Sequence, residues 1–239
     1  LQVKNLGTIF GAGITLCRNG AAQPAKLENE GDIRNLNSGG FGGASECGEV
    51  GSVVNGERGR IGIAELDGNG CNVRVGIASL LNRGLVKLGS CYTPETEQVQ
   101  RPELEIGSSL SEAGSIIDGG IVHIHGDYTP AGSSTLTIGI KKTFPAGSPE
   151  TNYGTMKVSG SATLAGELNV ETSEYLNFAP VLGQTFQILD VGESVGSLSG
   201  EFTPGNHCIP AEPGNGYKVN YKLGSKGTVT LEVAKVAGC

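Results

Sequence analysis

The segment ENEGDIRN, residues 28–35, places a glycine, Gly31, two positions before a β-branched residue, Ile33. Four other segments share the form: KNLGTIFG (4–11), GERGRIGI (56–63), LNRGLVKL (81–88) and SEAGSIID (111–118). Aligned on Gly7, Gly31, Gly59, Gly84 and Gly114, they recur in steps of 24, 28, 25 and 30 residues. Asn5, Asn29 and Asn82 each stand two places before their glycine. A recurrence at roughly 20–50 residues signals a solenoid, and steps of uneven length place the insertions in loops. Asparagine and glycine tolerate the left-handed backbone that a sharp corner demands. The Ile or Val that follows begins a short strand whose alternate side chains point inward. One such strand cannot bury its inner face alone, but coils stacked about 4.8 Å apart build a shared apolar column. The expectation is an all-β fold: a single-stranded parallel β-helix, right-handed by the rule for parallel crossovers.

Composition agrees with short strands and many turns. The chain has 239 residues, 40 of them glycine, without the three-residue period of collagen. The formal charge is −7 and the cations are scattered singly, Lys141-Lys142 being the longest cluster. No basic face is available to displace counterions from nucleic-acid phosphate or to hold anionic lipid. No apolar run reaches the roughly 18 residues needed to cross a bilayer, so membrane insertion is not expected. Aromatic residues make up 5% and tryptophan is absent. This disfavours a sugar platform of stacked indoles, although tyrosines keep sugar contact open. No signal peptide is visible, and LQVKNLGTIF at the start already reads as strand, which points to a mature product or a fragment of something longer. No segment shows helical periodicity except IASLLNRG, where one helical turn competes with a strand.

The six cysteines, Cys17, Cys47, Cys71, Cys91, Cys208 and Cys239, form no CxxC pair and no zinc-finger spacing. An even count of this kind favours disulfides and an oxidising, extracellular setting over buried free thiols. Sequential pairing gives separations of 30, 20 and 31 residues, each close to one coil. It is one of the fifteen pairings that six cysteines allow.

The texture changes in the second half. STLTIGI, TMKVSG, ATLAGELNVET, QTFQILDV and GTVTLEVAKV alternate apolar and polar residues more regularly than the earlier strands. Residues 1–125 therefore read as irregular coils. Residues 126–239 read as regular coils and a C-terminal β cap, continuous with the first part. A solenoid needs such a cap to close its open edge. Within this half, GDYTPAGSSTLTIGI (126–140), YGTMKVSGSATLAGELNVET (153–172) and LGQTFQILDVGESVGSLSGEF (182–202) resemble the C-terminal repeats of autotransporter-type β-helical surface proteins. The resemblance implies the fold and a bacterial surface setting. It does not imply one activity, because that scaffold serves adhesion, toxicity and proteolysis. Six cysteines and the lack of a membrane β-barrel set this chain apart, and point to a disulfide-stapled extracellular module of another bacterial surface or filament protein.

Two candidate sites follow. In IVHIHGDY, Val122 and Ile124 share the inward phase, leaving His123 and His125 outside, with Asp127 continuing their phase. Two imidazoles and a carboxylate can hold Zn²⁺ with an open position; exposed strand histidines beside a turn are the competing reading. Asp32, Arg34, Glu57, Arg58, Arg60, Arg83 and Lys87 recur at similar coil positions, as a polysaccharide-binding stripe or as the wet face of a solenoid. No GxSxG nucleophile elbow is present. The glycine-rich GSIIDGG and GGFGGAS precede no helix that would hold phosphate. TLT and TVT do not fall in consecutive coils as an ice-binding face requires. The expected function is a noncatalytic extracellular module: a stalk, an adhesin or a self-assembling filament subunit. Its partners would be a second copy or a surface glycan or protein, and no cofactor is called for. The alternative is a polysaccharide-active β-helix, a lyase or tailspike-like depolymerase.

Overall fold

The computed structural model describes residues 2–10, 26–36, 51–64, 74–89, 91–93, 98–140, 153–172, 180–192, 196–210 and 212–239. Among these residues every regular element is a strand, and nearly all belong to three sheets. The first sheet orders Gln2–Asn5, Lys26–Asn29, Ser52–Asn55, Ser79–Asn82, Leu110–Glu112, Tyr128–Pro130, Ala162–Leu164 and Ser197–Gly200, all in parallel pairs. The second begins with Thr8–Phe10, Asp32–Leu36, Arg60–Ile63 and Leu85–Leu88 and continues, again parallel, to Thr203–Pro204. In the third, Arg74–Ile77, Glu103–Ile106, Ile121–Ile124, Thr155–Val158 and Thr185–Val191 are parallel neighbours. From Arg74 onward the chain visits the third, first and second sheets in turn, again and again.

The repeat glycines predict the register. Each is followed by a residue of the second sheet, and Thr8, Asp32, Arg60, Leu85 and Ser115 stack on one another. One position further, Ile33, Ile61, Val86, Ile116 and Leu136 form a buried column. Leu27, Val53, Leu80, Leu110 and Tyr128 form its counterpart in the first sheet. Val75, Leu104, Val122 and Met156 do so in the third. Each fully buried Leu, Ile or Val contributes about 1.5–3 kcal/mol relative to exposure, and the columns together supply the driving force for stacking. IASLLNRG resolves as strand over Ser79–Asn82, because Leu80 enters the column and both neighbouring strands pair with it.

The role expected for asparagine and glycine needs correction. None of the five repeat glycines has a left-handed backbone. Four of them are required by proximity: a Cβ on Gly31 would lie 2.2 Å from the Gly7 carbonyl oxygen, on Gly84 2.1 Å from that of Gly59, on Gly114 2.2 Å from that of Gly84 and on Gly59 2.2 Å from Asn55 Oδ1, whereas a Cβ on Gly7 would meet nothing within 4 Å. The asparagines turn inward instead. Asn5, Asn29, Asn55 and Asn82 end successive strands of the first sheet and are buried. Asn5 Nδ2 donates to Asn29 Oδ1, Asn29 Nδ2 to Asn55 Oδ1 and Asn55 Nδ2 to Asn82 Oδ1, each at 2.8 Å. Further donation goes to backbone carbonyls, from Asn29 to Arg60 and from Asn82 to Ser115, both at 3.1 Å. A buried amide left without partners costs free energy, and this ladder satisfies both its ends.

At the far end, Thr228–Lys235 pairs antiparallel with Thr185–Val191, and Asn215–Lys222 pairs antiparallel with Thr228–Lys235. Gly224–Ser225 adds antiparallel to Ser197–Gly200. Strands of the second half reach 6–8 residues, as at Thr135–Ile140, Thr185–Val191 and Asn215–Lys222.

Urea unfolding should separate these effects. Asn55→Ala interrupts the ladder at its centre and strands two neighbouring amides. A loss on the order of 2–4 kcal/mol is expected, given about 1–3 kcal/mol for each buried group left unpaired. Gly84→Ala should destabilise clearly. Gly132→Ala, where a Cβ meets nothing within 4 Å, should leave the midpoint within experimental error.

Candidate functional site

The Ile121–Ile124 strand lies between Glu103–Ile106 and Thr155–Val158, so its outward residues meet those of two neighbouring strands. Val122 and Ile124 are buried as the alternation demands. His123 stands half-buried between Glu105 and Lys157 in register. Burial lowers its pKa from the ordinary histidine value, with Lys157 and His125 adding to that and Glu103 and Glu105 opposing it. His125, just past the strand, is exposed over 54% of its side chain, and its Nε2 is 3.8 Å from Glu105 Oε1. Glu105 is hydrogen-bonded by Arg74, which lowers the carboxyl pKa, and Arg74 Nε also lies 3.8 Å from Glu103 Oε2. Asp127 serves elsewhere. Its Oδ1 accepts the Ser161 N–H at 2.7 Å, bracing the corner to the next tier, and a Cβ on Gly160 would lie 2.4 Å from the same oxygen. The set around the histidines is thus Arg74, Glu103, Glu105 and Lys157. Aligning ELEI (103–106) with IVHI (121–124) would have revealed the carboxylates in the same outward phase.

The charged stripe divides between a face and two corners. Asp32, Arg34, Arg60 and Lys87 belong to second-sheet strands. Arg34 Nε pairs with Asp32 Oδ2 at 2.5 Å, and Arg60 Nε lies 3.8 Å from Asp32 Oδ1. Glu57, Arg58 and Arg83 sit in the exposed turns between first- and second-sheet strands. Mutual pairing of exposed ions is worth little stability, and it leaves the Asp32 carboxylate engaged by its own neighbours.

At the far end an open groove of about 500 Å³ runs beside the antiparallel strands, lined by Phe202, His207, Tyr217, Val219, Tyr221 and Lys235 among others. Tyr221 Oη accepts the Phe202 N–H at 3.1 Å, and Tyr217 Oη shares a hydrogen with Thr172 Oγ1 at 2.9 Å. Next to the groove, Cys208 and Cys239 form the expected disulfide, with Cα atoms 5.3 Å apart. The pairings Cys17–Cys47 and Cys71–Cys91 lie outside the described residues, Cys91 being described in its backbone alone. Among the described residues, the three groups whose ligand atoms lie within 4.8 Å of one another are His207, Cys208 and Cys239. His123, His125 and Asp127 are not such a group.

One buried acid interrupts the pattern. Glu112 occupies the next rung above Asn82 and is 2% exposed. Its Oε2 accepts from Tyr128 Oη at 2.8 Å, while Oε1 has no hydrogen-bond partner among the described residues. Burial raises its pKa from 4.5 to about 8, only partly opposed by the tyrosine. It is the neutral carboxylic acid that fits this site.

No protein-family model matches the chain, and no curated protein matches it.

The raised pKa fixes the sign of a pH dependence. The folded protein holds the Glu112 proton more tightly than the unfolded chain, so this stabilisation is complete below pH 4.5 and is lost as pH rises towards about 8. Glu112→Gln should flatten that slope. At pH 7 it should raise the unfolding free energy by on the order of 3 kcal/mol, measured by urea denaturation at pH 5, 7 and 8.5.

Proposed function

We propose that this chain is a right-handed parallel β-helix closed by a C-terminal β cap, acting as a noncatalytic extracellular module of a bacterial surface structure: a stalk, an adhesin or a filament subunit. The observation that carries the reading is the stacking itself: successive tiers of parallel strands in three sheets, in register over buried columns. Repeated tiers of this kind can pair with further tiers or with a second copy through their strand edges. Among the described residues, Leu6 and Phe10 on the earliest tier are 72% and 62% exposed. The disulfide suits an oxidising compartment. The resemblance of residues 126–202 to surface-protein repeats supports the same setting. Size-exclusion chromatography with negative-stain imaging tests the assembly: elongated, concentration-dependent particles are expected, shortened by Val3→Lys with Phe10→Lys. A compact monomer at every concentration removes the filament version.

A polysaccharide-active β-helix is the second reading, favoured by the arginine and carboxylates gathered at Arg74, Glu103, Glu105 and His125. These groups pair with each other, which favours a binding surface over a lyase centre. Incubation with a panel of acidic glycans, with and without Ca²⁺, should yield neither unsaturated nor new reducing ends. Turnover abolished by Glu105→Gln would reverse the order of the two readings.

A further inference from the structure

The C-terminal disulfide is set beside a histidine. His207, Cys208 and Cys239 bring a ring nitrogen and two sulfurs within 4.8 Å of one another, and all three residues are half-buried, within reach of solvent. The imidazole is oriented independently: Nδ1 makes a 2.6 Å hydrogen bond with the Gly205 carbonyl oxygen. A carbonyl only accepts, so Nδ1 carries the hydrogen and Nε2 is the ring nitrogen left to offer a metal. A backbone carbonyl holding the far nitrogen is how proteins present an imidazole to a metal. The peptide around it is fixed as well. Tyr217 N donates to the His207 carbonyl at 2.8 Å, and Cys208 bridges antiparallel to Gly216. His207 also lines the open groove, which gives a small ion a way in.

We propose that reduction of Cys208–Cys239 converts this staple into a Zn²⁺ site formed by the two thiolates and His207. A dithiol supplies two electrons and two protons to the S–S bond, leaving two cysteine thiols and the oxidised dithiol. Zn²⁺ then displaces both thiol protons and forms two Zn–S bonds. His207 Nε2 donates a third pair, and water completes a tetrahedron. The Cα separation of 5.3 Å suits two thiolates on one ion at about 2.3 Å each. Zinc would thus hold the same two segments together that the disulfide joins, and the tail would stay docked in either redox state.

The test uses the full chain, reduced with dithiothreitol and desalted under argon. Zinc content and site-resolved alkylation by iodoacetamide are then followed by mass spectrometry. Zn²⁺ is expected to slow alkylation of Cys208 and Cys239 at least tenfold, with reversal by a chelator. Cys208→Ser should bind one zinc fewer than the reduced wild type, and His207→Ala should bind that zinc at least tenfold more weakly. Alkylation rates at Cys208 and Cys239 that ignore Zn²⁺ overturn the proposal, and this measurement needs no variant to fold. Equal zinc content in Cys208→Ser overturns it too, since the other four cysteines would then hold the metal. Unchanged affinity in His207→Ala removes the histidine from the site.

Discussion

Close backbone approach at the corner between the first and second sheets is the constraint on which the rest depends. Strands stacked in register need their corners stacked as well, and at Gly31, Gly84 and Gly114 the space for a side chain is taken by a carbonyl of the tier below. Once those corners nest, Asn5, Asn29, Asn55 and Asn82 are brought into line, and the apolar columns of all three sheets close. The intervening loops can vary in length because nothing in that geometry depends on them.

Much of this was legible in the sequence. The glycine spacing already contained the true register of the second sheet, since the residue after each glycine stacks on its counterpart. The alternation in IVHI told correctly which side chains entered the core. The physical job of asparagine was not legible. Asparagine favours turns, and only the stacked strands show it inside, where its amide has both a donor and an acceptor to match. GERGRIGI hid the pattern further, because its turn carries two extra residues, so that Asn55 stands four places before Gly59 rather than two. Glu112 is hidden for a related reason: a carboxylate in a sequence suggests surface, although this one continues the asparagine column.

The outward chemistry was less readable. Outward side chains of these parallel sheets meet partners from strands some 18–36 residues away, so that Glu105 and Lys157 come to flank His123 only after register is known. Asp127 shared a sequence phase with the histidines, yet the chain turns at Gly126, and its carboxylate braces a corner instead. The Cys208–Cys239 bond could be anticipated from spacing, but the orientation of the His207 ring could not. That histidine adjoins Cys208 in sequence, and its orientation comes from a carbonyl in the preceding turn.

The asparagine ladder also has a direction. Each amide donates towards the later tier and accepts from the earlier one, and carbonyls of Arg60 and Ser115 hold the amino groups of Asn29 and Asn82 in that sense. Rotating one amide by a half turn would set oxygen against oxygen on one side and nitrogen against nitrogen on the other. The four side chains therefore keep one orientation collectively, and their dipoles add along the stack as peptide dipoles add along a helix. The protein has an internal polar axis, running from an acceptor end at Asn5 to a donor end at Asn82, whose amino group is held by the Ser115 carbonyl.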